Sequence, residues 1–174
     1  MSVQWIDEWQ RPPDLAMRGR FSTPRLNIKP VSGGKYALAL GPVGWQLDRG
    51  GEIVTRLAFP TDGASIPWIA QWKYQRFDAR YLRSAVSHDR PYSMHGVDPA
   101  MKLTRHQADS LLYWGMVEEC DEATAERFYF WVRSPVGGYI WERRANCPLV
   151  SRWWAACCAE DNEAALDRFI ASFA

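Results

Sequence analysis

Strand-type and helix-type patterning occupy different stretches of this chain, and that segregation limits the fold more than any other feature of the sequence. Residues 25–60 read as short strands separated by turn signals. Arg25–Val31 and Lys35–Leu40 flank Gly33-Gly34, while Trp45–Asp48 and Ile53–Phe59 flank Gly50-Gly51, so two hairpin connections are expected. Pro60 closes this region. After Pro67 the apolar spacing becomes helical. Asp78–His88 carries Tyr81, Leu82, Ala85 and Val86 on one face, and Thr104–Cys120 carries Ala108, Leu111, Leu112, Gly115 and Met116. Asp121 is placed to cap a third helix through Arg133, which Pro135 and Gly137-Gly138 then end. Asn162–Phe173 reads as an amphipathic last helix with Ala165, Leu166, Phe169, Ile170 and Phe173 inward. The expected fold is α+β, with N-terminal antiparallel strands and hairpins followed by a cluster of about four α-helices.

A length of 174 residues suits one core domain with small additions. Residues 1–24, punctuated by Pro12, Pro13 and Pro24, read as an N-terminal arm, 25–141 as the core domain and 142–174 as a C-terminal helical extension. Ten tryptophans either fill a large core or form a docking surface. Trp5, Trp9, Trp153 and Trp154 lie in the two extensions, so self-association or contact with other structural proteins is the expected kind of partnership. Twenty-one basic and 20 acidic residues give a net charge of +1 with no clustered basic stripe, which argues against a nucleic-acid partner. No run approaches the roughly 18 apolar residues needed to span a bilayer. Met1–Arg11 contains Asp7 and Glu8 and no apolar stretch of signal-peptide length. Cys120, Cys147, Cys157 and Cys158 lack zinc-site spacing and are expected to be reduced, which suits a cytoplasmic place of synthesis.

Three segments concentrate polar groups. Thr61-Asp62-Gly63-Ala64-Ser65-Ile66-Pro67 leaves the last strand. Asp62 bonds locally in such a turn, Gly63 permits positive φ and Pro67 fixes the exit. The segment is either a rigid corner or the lip of a site presenting Asp62 and Ser65. In His88-Asp89-Arg90-Pro91-Tyr92, a helical turn of about 100° per residue puts Asp89 on the apolar stripe of Leu82 and Ala85. A carboxylate there needs a partner. Pro91 is expected to end the helix, leaving His88 and Asp89 in its last turn. In Arg105-His106-Gln107-Ala108-Asp109, Arg105 and Asp109 are four apart, can pair, and lie near the face of Ala108, Leu112 and Met116. Asp89 and Asp109 are thus both brought toward the core, with His88 beside them. Two outcomes remain open: an ionic cluster with Arg105 as the partner, or a catalytic site in which Asp89 and Asp109 hold a divalent metal or orient His88 as a general base. No other cofactor is implied.

Thr61 through Pro67, then His88-Asp89-x-x-Tyr92, then Arg105-x-x-Ala108-Asp109, in this order, resemble the family called domain of unknown function 1353. The resemblance continues in Tyr129-x-x-Val132-Arg133 and, after Gly137-Gly138, in Trp141, covering residues 25–141. It implies an origin in phages, prophages or bacterial genomes. Trp68-Ile69-Ala70-Gln71-Trp72 is richer in Trp than that pattern, and Arg90-Pro91 replaces two apolar or aromatic residues. A shorter resemblance links His88-Asp89-x-x-Tyr92 to the active-site helix of secreted phospholipases. It implies His88 as base, Asp89 as calcium ligand and Asp109 as the group that orients His88. The disulfides and the glycine-rich calcium loop of those enzymes have no counterpart here. A histidine–aspartate phosphohydrolase fits poorly, because His88 is the first of only three histidines.

Two functions from different classes are therefore expected. The first is a virion component of a tail or baseplate, made in a bacterial host cytoplasm and using its Trp-rich extensions for assembly. The alternative is a small metal-dependent or His/Asp-based hydrolase built on His88, Asp89 and Asp109, with Asp62, Ser65, Tyr92 and Arg105 as binding groups.

Overall fold

The computed structural model describes residues 11–64, 73–95, 97–144 and 147–173. Six short strands come first: β1 (Gly19–Phe21), β2 (Ile28–Val31), β3 (Tyr36–Ala39), β4 (Val43–Leu47), β5 (Glu52–Thr55) and β6 (Pro60–Thr61). They form two antiparallel three-stranded sheets, ordered β1-β4-β5 and β2-β3-β6. Both expected glycine turns are present, with positive φ at Gly33 and Gly34 between β2 and β3, and at Gly50 and Gly51 between β4 and β5. The expected strand Ile53–Phe59 is instead divided between the two sheets. At Ala58 the backbone takes φ +62°, a left-handed conformation rare for a residue with a side chain. Ala58 N–H then donates to the Ala39 carbonyl, and the chain has crossed into the second sheet.

Among the described residues six α-helices follow: α1 (Leu82–Met94), α2 (Arg105–Glu119), α3 (Glu122–Arg133), α4 (Pro135–Arg144), α5 (Pro148–Cys157) and α6 (Asn162–Ala171). The caps explain most of the boundaries. Thr104 and Gln107 form a capping box at the start of α2, and Asp121 accepts from Thr124 N–H at 2.7 Å to start α3. Tyr81 offers α1 no side-chain cap. That role passes to Glu119, at the far end of α2, which accepts from Ser84 N–H at 3.0 Å and from the Arg83 Nε–H at 2.8 Å. Burial pushes the Glu119 carboxyl up despite those donors.

One expected stop is not a stop. α1 runs through Pro91 to Met94, placing His88 and Asp89 in mid-helix rather than in its last turn. Pro91 lacks an N–H to give, but its carbonyl still accepts from His95 N–H at 3.0 Å, so only one rung of the ladder is lost. The third helix does end at Arg133, as expected, and Pro135 then has a second role. It opens α4, because the missing N–H of proline costs nothing in a first turn. Pro148 opens α5 in the same way.

The central helix is α1. Val86 and Met94 join Leu38, Val43, Phe59, Trp153 and Phe169 in one apolar cluster, while Tyr81 and Ala85 join Leu112, Met116, Phe128 and Val132 in another. The C-terminal helices therefore belong to the core. Trp153 is fully buried, donates from Nε1 to the Leu57 carbonyl at 3.0 Å and meets Phe59 edge-on. The described part of the N-terminal arm also lies on its own chain. His106 Nε2 donates to the Pro12 carbonyl at 2.9 Å, Trp114 Nε1 to that of Asp14 at 3.0 Å, and the Tyr129 hydroxyl to that of Arg11 at 2.9 Å. Trp5 and Trp9 lie outside the described residues.

Candidate functional site

β6 delivers the first member of a buried polar cluster. The Thr61 hydroxyl donates to Asp89 Oδ2 at 2.5 Å and itself accepts from Gly63 N–H at 2.9 Å. Gly63 has φ +76°, and a Cβ there would stand 2.2 Å from the Arg76 carbonyl oxygen, so only glycine fits this corner. Asp62 Oδ2 lies 3.2 Å from an Arg76 nitrogen. Thr61 is the residue of this segment whose hydroxyl reaches α1, at Asp89. Ser65 and Pro67 lie outside the described residues.

The second link joins α1 to α2. His88 Nε2 lies 3.1 Å from Asp109 Oδ1, and the Tyr92 hydroxyl donates to the same oxygen at 2.6 Å. Burial, then the Asp109 charge, hold the Tyr92 hydroxyl well above its ordinary pKa, so it remains a donor. A carboxylate only accepts, so in this contact Nε2 is the donor. The other Asp109 oxygen faces Arg133 at 3.2 Å and Arg105 at 3.6 Å. His88, Asp89, Asp109 and Arg133 are all buried, Asp109 completely.

Arg105 is thus a partner of Asp109 and not of Asp89, which accepts from Thr61. Arg105 also donates to the carbonyls of Val132 and Ser134, at 2.8 and 2.9 Å, closing the end of α3. Trp141 of α4 borders this group: it meets Tyr92 edge-on at 4.8 Å and stacks on His95 at 4.0 Å.

Thr61 and Arg133 stand in the quoted motifs but were not singled out from sequence. Arg133 follows Val132 and lies four residues after Tyr129, on the buried side of α3. A cation on an apolar stripe needs an anion just as Asp89 needs a donor, and that signal was available.

The candidate calcium role of Asp89 has a chemical requirement. A calcium shell takes roughly six to eight oxygens. Thr61 donates to Asp89, and both Asp109 oxygens are engaged by His88, Tyr92, Arg105 and Arg133. Among the described residues no three His, Cys, Asp or Glu side chains are gathered for a metal.

A family model described as a protein of unknown function, DUF1353, matches residues 42–133. The chain belongs to the DUF1353 family. The DUF1353 segment contains Thr61, His88, Asp89, Tyr92, Arg105, Asp109 and Arg133, and so spans the whole polar cluster. Trp141 and the C-terminal helices α5 and α6 lie beyond the DUF1353 match, as do β1, β2 and β3. No curated protein and no solved structure matches the chain. Among the described residues no helix is long and apolar enough to cross a membrane.

Proposed function

We propose that the chain is a water-activating hydrolase with His88 as its general base. One observation carries this reading: Nε2 of the buried His88 ring lies 3.1 Å from the Asp109 carboxylate, so that Nδ1 is the ring nitrogen turned from that anion. A neutral imidazole held by a carboxylate on one nitrogen presents the other as a base, and the carboxylate stabilises the imidazolium that forms. Nδ1 takes a proton from water as the water oxygen adds to an ester carbonyl carbon. When the C–O bond breaks, that proton passes to the departing oxygen. A carboxylic acid and an alcohol result, and His88 is neutral again. The substrate class proposed is the phospholipid ester, from the resemblance of the His-Asp-x-x-Tyr helix to secreted phospholipases. His88 is only 3% exposed, so turnover requires a shift of its surroundings and is expected to be faster on vesicles than on a soluble ester.

The test is fatty-acid release from phospholipid vesicles by the purified full chain and by His88→Asn. Release by the parent, lost in a variant of unchanged melting temperature and indifferent to chelator, supports the reading. Equal release by both proteins, or none by either, overturns it.

The second reading is a phage- or prophage-encoded assembly component of a tail or baseplate, incorporated in the virion. Two exposed apolar side chains of α4 favour it, Val136 at 67% and Tyr139 at 55% exposure. Trp153 no longer supports it, since that side chain is buried in its own chain. Sedimentation of the pure protein tests self-association, with Val136→Ser and Tyr139→Ser expected to weaken it. A monomer at all concentrations argues against that form of assembly.

A further inference from the structure

Asp109 has more partners than its single charge requires. Oδ1 accepts from His88 and Tyr92, while Oδ2 faces Arg133 at 3.2 Å and Arg105 at 3.6 Å. One guanidinium neutralises one buried carboxylate. Each further buried ion adds a desolvation cost that its contacts seldom offset, so a second arginine is a poor device for stability. Yet the backbone makes room for it. A Cβ at Gly138 would stand 2.9 Å from Arg105 Nη1, and one at Gly137 would stand 3.2 Å from Nη2 and 1.8 Å from the Val132 carbonyl oxygen.

What the second cation adds is direction. The last torsion of an aspartate is soft, so a carboxylate held on one edge can turn. Arg105 comes from α2 and Arg133 from α3, and both address Oδ2. With that edge occupied from two helices, Oδ1 is left toward the His88 ring. We infer that Arg133 and Arg105 are positioning residues, which fix the Asp109 carboxylate by Oδ2 and so hold His88 in one tautomer, with its proton on Nε2. The inference rests on the reading of His88 as a base, but its first readout needs no turnover.

That readout is the nitrogen NMR spectrum of the His88 ring in the full chain, at a pH where the ring is neutral and assigned with His88→Asn. The expected spectrum shows one tautomer, with the proton on Nε2. Arg133→Gln and Arg105→Gln are each expected to give a mixture of tautomers, and Arg133→Lys to restore most of the single form. Arg105→Gln gives the same information if Arg133→Gln does not fold. In vesicle hydrolysis the Gln variants are expected to lose on the order of tenfold to a hundredfold in kcat with KM little changed, as misplacement of a base does. A variant with a lowered melting temperature but an unchanged tautomer overturns the inference and leaves the arginines structural. So does a parent protein with mixed tautomers. If no protein hydrolyses ester, the base reading fails by itself, while the spectra still decide what the arginines do.

Discussion

His88 and Asp89 are neighbours in sequence, yet they face different elements: Asp89 meets Thr61 of β6, and His88 meets Asp109 of α2. The need for partners was legible in the sequence, because both carboxylates fall on apolar stripes. Their identities were not legible, since a helical wheel says which side of a helix is buried but not what arrives there. That is why Arg105 stood as partner to Asp89, and why Thr61 and Arg133 were passed over. The consequence for Asp109 is direct. Asp109→Asn leaves two guanidinium groups facing a neutral amide, and a loss of about 3–5 kcal/mol in urea unfolding is expected. A loss under about 1 kcal/mol would mean that water reaches the cluster and screens it. Cys120 gives a residue-scale test of burial by pH. Burial first, then the Glu119 charge, push its thiol up to about 11. The folded pKa lies above the ordinary 9.0, so the thiol favours the folded state below pH 9.0, and that contribution is lost as pH rises through 11. Alkylation of Cys120, followed by mass spectrometry, should stay slow at pH 9 and accelerate only near 11. Fast labelling at pH 8 would contradict that burial.

At the scale of elements, the change from strands to helices after residue 60 was readable because two periodicities are involved and neither imitates the other. Pro91 misled. Pro135 and Pro148 start helices, whereas Pro91 sits inside one, and a proline in sequence does not say which of these it will do. The α3–α4 junction depends on tight backbone more than on side-chain packing. A Cβ on Gly137 would stand 1.8 Å from the Val132 carbonyl oxygen, and a backbone atom cannot swing aside. Gly137→Ala is therefore expected to cost at least about 2 kcal/mol. It should also displace α4, loosening Trp141 from Tyr92 and His95. Thermal unfolding followed by tryptophan fluorescence reads both effects. An alanine variant with parental melting and emission would show that the junction gives way easily.

Across the whole molecule, the two apolar clusters divide the work between the ends of the chain. Leu38 of β3, Val43 of β4 and Phe59, just before β6, are covered by Trp153 of α5 and Phe169 of α6, while α2 and α3 pack with Tyr81 and Ala85 on the other side of α1. The tail looked like an addition because its helix is amphipathic by itself, and amphipathicity does not reveal whether the covering surface belongs to the same chain. Trp153→Ala is expected to cost about 3–5 kcal/mol, the usual range for removing a buried aromatic. An outcome near zero would mean that α5 is only loosely attached. The covering of these residues by the last helices also has a consequence in time. During synthesis Leu38 and Phe59 are made long before Trp153 and Phe169, so the nascent sheet waits without its lid, and its apolar face is open to chaperones and to other nascent chains. Completion of this fold waits until Trp153 and Phe169 have left the ribosome.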